Sequence, residues 1–146
     1  MQGYLGIDVG SVSTNFVVLD EDDNVLVELY LRTKGQPIRV LQEGLQKVKE
    51  TLGANFKIKG VGTTGSGRVL TGVMVGADVV KNEITAHAVA TSKMVPNVQT
   101  IIEIGGQDSK IIILRNGIVT DFAMNTVCAA GTGSFLDQQA FRLNIP

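Results

Sequence analysis

The chain has 146 residues, of which 44% are apolar and 18% charged, and its formal charge is −1 at neutral pH. That length is a soft prior for one domain at roughly 100–200 residues each, and the balance is that of a soluble globular chain rather than a disordered one. The near-zero charge gives no reason to expect nucleic acid or an anionic membrane surface as a partner, and no apolar run approaches the roughly 20 residues needed to span a bilayer.

Met1 leads straight into strand-like sequence, with no basic segment or cleavage site, so a cytoplasmic protein is the expectation. Tyr4 to Val9 is a short apolar run closed by an acid and a glycine. Asn15 to Leu19 is a second β-branched run. Asp20 to Asn24 is a turn signal, and Val25 to Leu31 a third strand, giving an antiparallel meander. Pro37 suits the first turn of a helix, where its missing N–H costs nothing. Val40, Leu41, Leu45, Val48 and Leu52 give that helix one apolar face, and Gly53 ends it.

Phe56 to Val61 reads as a strand and Thr63 to Gly67 as a loop. The stretch from there to Val80 carries no clear pattern. A helix starts near Asn82, with Glu83 in its first turn, and ends before Pro96. Ala86, Ala88 and Ala90 suggest that it packs closely. Thr100 to Ile104 is again an apolar run ending in an acid and glycines. Ser109 to Leu114 is a strand, Arg115-Asn116-Gly117 a hairpin turn, Ile118 to Met124 a third strand, and Gly131 to Leu143 a helix.

The chain therefore contains one device twice. Gly6-Ile-Asp8-Val-Gly10-Ser11-Val12-Ser13-Thr14 leads into a strand, an acidic turn and another strand. Ile102-Glu103-Ile-Gly105-Gly106-Gln107-Asp108-Ser109-Lys110 leads into a strand, an Asn-Gly turn and another strand. Each hydrophobic strand ends in a carboxylate with glycine shortly after it. Glycine lets backbone N–H groups approach a polyphosphate without a Cβ in the way. Ser11, Ser13 and Thr14 add hydroxyl donors. The carboxylates are placed to hold hydrated Mg²⁺ rather than phosphate itself. Two facing copies would enclose a phosphoryl group, whose transfer is catalysed mainly by positioning and electrostatics.

On these residues the chain resembles the actin, sugar-kinase and heat-shock-protein-70 ATPase superfamily. Asp8-Val-Gly10-Ser11 looks like its first phosphate loop, and Glu103-Ile-Gly105-Gly106 like its second. Asn82 to Ala88 looks like the connecting helix, and the resemblance gives Glu83 the role of orienting the attacking water. Gly105-Gly-Gln107-Asp108-Ser-Lys110 and Cys128-Ala-Ala-Gly131-Thr-Gly133-Ser-Phe-Leu-Asp137 resemble, more narrowly, the activator ATPases of 2-hydroxyacyl-CoA dehydratases and their benzoyl-CoA reductase relatives. The similarity covers essentially the whole chain.

The resemblance implies an α/β fold: a ribonuclease-H-like (actin-like ATPase) lobe with a mixed sheet over residues 1–97, and the opening β-meander and helix of a second similar lobe over residues 98–146. It implies ATP and Mg²⁺ as ligands, with Asp8, Glu83 and Glu103 as catalytic groups. Gly10 to Asn15 (Gly10, Ser11, Val12, Ser13, Thr14, Asn15) and Gly105, Gly106, Gln107 and Asp108 would contact the nucleotide. It further implies a homodimer sharing one [4Fe–4S] cluster through Cys128, reduced ferredoxin or flavodoxin as electron donor, and an acyl-CoA dehydratase or reductase component as electron acceptor.

Three features depart from the family pattern, the largest being the number of cysteines. Asn15 stands where members often have lysine, and Glu103 where the superfamily more often has aspartate. A [4Fe–4S] cluster takes four thiolates, whereas this chain has one cysteine. The sequence stops before the family's second cluster cysteine and adenosine-binding part, so it reads as a fragment. A small-molecule kinase of the same superfamily, or an actin-like switch that uses nucleotide without catalysis, are the alternatives. Gly60-Val-Gly62-Thr-Thr-Gly65 also matches a dinucleotide fingerprint, but that reading needs a helix opening at Gly65 and an acid ending the next strand. His87, the only histidine, reads as a helix-packing residue.

Overall fold

The computed structural model describes residues 1–128 and 130–145. Ala129, inside the glycine-rich segment after Cys128, and Pro146 lie outside the described residues. The chain forms two compact units, Met1–Glu83 and Ile84–Pro146.

The first unit holds a five-stranded mixed sheet in the order β3-β2-β1-β4-β5. Strands β1 (Gln2–Val9), β2 (Ser13–Leu19) and β3 (Val25–Arg32) make the antiparallel meander. Burial alternates along β1, with Leu5, Ile7 and Val9 facing the core, as a half-buried strand requires. Phe16 and Val18 of β2 and Val27 of β3 complete that face. Helix α1 (Pro37–Leu52) covers it with Leu41 and Val48. Each such fully buried side chain contributes about 1.5–3 kcal/mol. Proline sits in the first turn of α1, and Gly53 ends it at φ 77°, its N–H donating to Lys49 O at 2.9 Å. Gly44 lies in mid-helix, where glycine costs about 1 kcal/mol against alanine. A Cβ there would run into the Phe16 ring, so glycine lets the helix approach the sheet.

The acidic turn is ordered by its own side chains. Asp20 Oδ1 accepts the N–H groups of Asp22 and Asn24, both at 2.9 Å, while Asn24 Nδ2 donates to Asp20 Oδ2 at 3.0 Å. The Asn24 bonds hold the Asp20 carboxyl below its ordinary value.

Strand β4 (Lys57–Thr64) pairs parallel with β1 and runs further than the sequence pattern indicates, taking in Thr63 and Thr64. Gly60 and Gly62 thus lie inside a strand, not in a phosphate loop, which removes the dinucleotide fingerprint. The stretch without a clear pattern contains helix α2 (Arg68–Val75) and the two-residue strand β5 (Val79–Val80), parallel to β4. Helix α2 is short and mostly apolar, so periodicity had little length over which to register.

Helix α3 (Glu83–Met94) opens with the last residue of the first unit and continues as the first element of the second. Of its three candidate packing alanines, Ala88 is buried while Ala90 is exposed. His87 is half-buried. Strands β6 (Thr100–Ile104), β7 (Ser109–Arg115) and β8 (Ile118–Met124) form an antiparallel sheet in sequence order. Ile101, Ile112 and Leu114 pack with Ala88 into the second core. Helix α4 (Gly133–Leu143) begins two residues after the expected Gly131 and ends at the expected Leu143.

Candidate functional site: two acidic hairpin turns

The first turn joins β1 to β2. Gly10 N–H donates to Ser13 O at 2.8 Å, closing the turn. Asp8 and Asn15 are cross-strand partners, and Asn15 Nδ2 donates to Asp8 Oδ2 at 3.2 Å and to Ser13 Oγ at 3.3 Å. Thr14, fully buried, meets Thr33 across 3.0 Å through their hydroxyls, and Thr33 Oγ1 donates to Gly10 O at 2.9 Å. Thr33 N–H donates to Val12 O at 2.9 Å. The chain after β3 therefore braces the Gly10–Ser13 turn from outside, while Ser11 is exposed.

The second turn joins β6 to β7 and is built to the same plan. Gly105 N–H donates to Asp108 O at 2.8 Å. Glu103 and Lys110 are the cross-strand partners. Asp8, Gly10, Ser13 and Asn15 thus correspond position for position to Glu103, Gly105, Asp108 and Lys110. In both turns a glycine Cβ would crowd the opposite carbonyl, at 3.1 Å for Gly10 and 3.0 Å for Gly105.

The two acids differ in their electrostatics. Lys110 is 4% exposed, and its Nζ lies 3.1 Å from Glu103 Oε2 and 3.2 Å from Asp108 Oδ1. The second turn carries its own buried cation. The Asp8 carboxylate has an amide where Glu103 has an ammonium. Its Oδ1 is buried with no hydrogen-bond partner among the described residues, as is Asn15 Oδ1. A buried orphaned polar atom costs about 1–3 kcal/mol, so this turn is built for a donor or cation that it does not supply. An ionised carboxylate is also the hard oxygen donor that Mg²⁺ and its waters take, and the residues fit that ion.

Helix α4 is fastened to the second turn. Gly133 N–H donates to Gly105 O at 2.9 Å and Ser134 N–H to Gly106 O at 3.0 Å, while Thr132 Oγ1 reaches Gly106 O at 3.0 Å. Asn125, just after β8, accepts Ser109 N–H on Oδ1 at 3.0 Å and donates from Nδ2 to Val127 O at 2.7 Å and Gln107 O at 3.4 Å. Cys128 follows Val127 and is exposed. Among the described residues no group of three or more His, Cys, Asp or Glu side chains forms a metal site. With one cysteine, this chain does not complete a four-thiolate cluster, and two copies offer two.

Structure thus brings Asp8 together with Gly10, Ser13, Thr14 and Asn15 in the first unit. In the second it brings Glu103 together with Gly105, Gly106, Gln107 and Asp108. Glu83 is the first residue of α3. Sequence reasoning gave no role to Lys110, Asn125 or Thr33, although Lys110 stands inside a quoted motif and Asn125 three residues before the other. Burial of a lysine is not visible in sequence, and Thr33 lies in the chain segment beyond β3.

The first unit's mixed sheet, with a three-stranded meander continued by parallel strands, is that of a ribonuclease-H-like, actin-like ATPase lobe. The chain belongs to the BadF/BadG/BcrA/BcrD ATPase family, whose model matches residues 5–146. It is 40% identical to an (R)-2-hydroxyglutaryl-CoA dehydratase activating ATPase of Acidaminococcus fermentans, over 97% of this chain and 54% of that protein. It is 38% identical to a 2-hydroxyisocaproyl-CoA dehydratase activator of Clostridioides difficile, over 93% of this chain and 50% of that protein. A solved activator of the 2-hydroxyisocaproyl-CoA dehydratase from Clostridium difficile, with bound ADPNP, superposes with a TM-score of 0.83 at 33% identity, covering 99% of this chain and 53% of that one. The chain spans about half the length of the relatives it matches. No helix among the described residues is long and apolar enough to cross a membrane.

Proposed function

We propose that this protein binds and hydrolyses Mg-ATP, and that hydrolysis activates an acyl-CoA dehydratase or a related reductase by driving electron transfer into it. The observation that carries the reading is the pair of equivalent glycine turns, each set against a strand-end carboxylate, in a chain of this ATPase family. Bound Mg²⁺ supplies charge neutralisation of the phosphate oxygens. Asp8 holds the water shell of that ion through its unpartnered Oδ1. Glu103, tied to Lys110 through Oε2, has Oε1 beside Gly105 as a further oxygen of the kind that a hydrated Mg²⁺ takes. Gly10 to Asn15 and Gly105 to Asp108 supply backbone and side-chain donors to the phosphates. Glu83 orients the attacking water.

Cys128 contributes one thiolate per subunit to a [4Fe–4S] cluster in a homodimer, with its remaining ligands from outside this chain. Exposure suits it to a shared group. Reduced ferredoxin or flavodoxin is the donor that such a role calls for, and the cytoplasm is where those partners meet.

The test is anaerobic purification of the whole protein. A brown, oxygen-sensitive dimer with Mg-dependent ATPase activity that switches on a purified dehydratase is the expected result. A colourless protein that phosphorylates an added small molecule overturns it in favour of a kinase. Nucleotide-driven polymerisation without a chromophore points to an actin-like switch instead.

A further inference from the structure

Asp8 has two neighbours in register. Asn15 lies beside it on antiparallel β2, and Thr64 on parallel β4. Neighbouring strands run about 4.8 Å apart, and residues in register point to the same face. Asn15, Asp8 and Thr64 therefore form one polar rung across three strands, on the face of β1 opposite Ile7 and Val9. Asn15 commits its amide N–H₂ to Asp8 Oδ2 and Ser13 Oγ. What remains is a carbonyl oxygen, a carboxylate oxygen and the Thr64 hydroxyl, and all three are buried without a hydrogen-bond partner. The other such atom among the described residues is Ser92 Oγ on α3. Unmet hydrogen-bonding capacity is thus concentrated at this rung.

The chemistry of the missing partner follows. An ionised carboxylate and an amide carbonyl only accept, so neither satisfies the other, and the Thr64 hydroxyl, which has one proton to donate, bonds to neither of them. The partner must donate protons or carry positive charge, and three neutral or anionic oxygens suit a hydrated hard cation. The segment after Thr64 is fixed over the end of β1 by its backbone. Gly67 N–H donates to Val9 O at 2.9 Å, and Ser66 Oγ to the same carbonyl at 3.3 Å. Gly65 holds φ 88°, and a Cβ on it would strike Asp8 Oδ1 and Val9 O. Thr64 is delivered to the rung by this turn rather than by its own side-chain bonds.

We propose that Thr64 is a positioning residue of the metal site: its hydroxyl, with Asp8 Oδ1 and Asn15 Oδ1, orients the water shell of the nucleotide's divalent cation. The inference rests on the reading of Asp8 as the organiser of that ion. Mn²⁺ is the probe, titrated by electron paramagnetic resonance into the whole protein saturated with a non-hydrolysable ATP analogue. Thr64→Val keeps the volume and removes the hydroxyl. It is expected to weaken Mn²⁺ binding about tenfold, the scale for losing an outer-sphere partner of a metal. Affinity for the analogue measured in chelator stays unchanged, and Thr64→Ser restores the metal affinity. A general structural defect would lower both affinities and escape rescue by serine, which overturns the proposal. Wild-type Mn²⁺ affinity in Thr64→Val, with loss in Asp8→Asn, overturns it while leaving the Asp8 reading intact. Unchanged affinity in Asp8→Asn overturns both. Thr64→Ala is read in the same way if the valine variant does not fold.

Discussion

Lys110 faces Glu103 across the second hairpin at the place where Asn15 faces Asp8 across the first. In the second turn a lysine lies between two carboxylates, whereas in the first the carboxylate has only an amide beside it. Lys110 has only 3% of its side chain exposed, against 20% for Glu103 and 42% for Asp108. Lys110→Met would leave two carboxylates close together without their cation. Losing one member of a buried pair costs about 3–5 kcal/mol, and partial solvation of both acids lowers that to about 2–3 kcal/mol here. Glu103→Gln leaves Asp108 on the lysine and is expected to cost about 1 kcal/mol. Urea unfolding of the two variants checks the order, and equal effects would contradict the pairing.

Gly65→Ala tests how closely the β4–α2 turn approaches Asp8. Alanine at φ 88° is strained, at about 1–2 kcal/mol, and its Cβ would meet Asp8 Oδ1 and Val9 O. The expected outcome is a lower melting temperature together with loss of Mg-dependent tightening of nucleotide binding. Gly35→Ala is the control. It also has positive φ, but open space surrounds its Cβ. It should lower the melting temperature alone, and calorimetric titration with and without Mg²⁺ separates the two effects.

Much of the fold was legible because it repeats and because its strands alternate. The meander Gln2–Val9, Ser13–Leu19 and Val25–Arg32 shows in the periodicity, and Pro37 and Gly53 mark the ends of α1. Asp8 and Glu103 stand out as acids closing apolar strands. Other features depend on pairing across long sequence separations. Thr64 looks like loop because a threonine-glycine-serine run is a turn signal. Parallel pairing with β1 nevertheless carries the strand through it, setting it beside Asp8. Lys110 reads as an ordinary strand-edge charge until Glu103 and Asp108 are seen to enclose it. Gly44 likewise has no meaning in sequence without the Phe16 ring.

The acidic turn gives a pH prediction. Asp20 has its carboxyl lowered from 3.8, chiefly by the Asn24 side chain and then by the Asn24 N–H. A group whose folded value is depressed stabilises the fold fully above its unfolded value and loses that contribution as pH falls through the folded one. The β2–β3 turn should therefore keep its bonds at pH 5 and release them only below the ordinary carboxylate range. Asn24→Ala should bring Asp20 back toward 3.8, read from the carboxyl carbon shift in an NMR titration. An unshifted Asp20 in the wild type would contradict the turn geometry.

Asn125 ties the second turn to the segment carrying the cysteine. A single side chain receives Ser109 N–H and donates to Gln107 O on one side and Val127 O on the other, directly before Cys128. Asn125→Ala removes all three bonds, at about 1 kcal/mol each where the groups regain water. The backbone bond from Asn125 N–H to Ser109 O, at 3.1 Å, remains. Strand β8 should then stay paired while the Val127–Cys128 segment loosens. Hydrogen exchange is expected to rise at residues 126–128 and to stay low at Ile112 and Leu114 in the core. Asn125→Asp keeps the acceptor for Ser109 but loses both donors, so it should free Val127 while leaving Ser109 protected. If the aspartate variant instead exposes Ser109 as fully as alanine does, the side chain is not acting as the clamp that its three bonds describe.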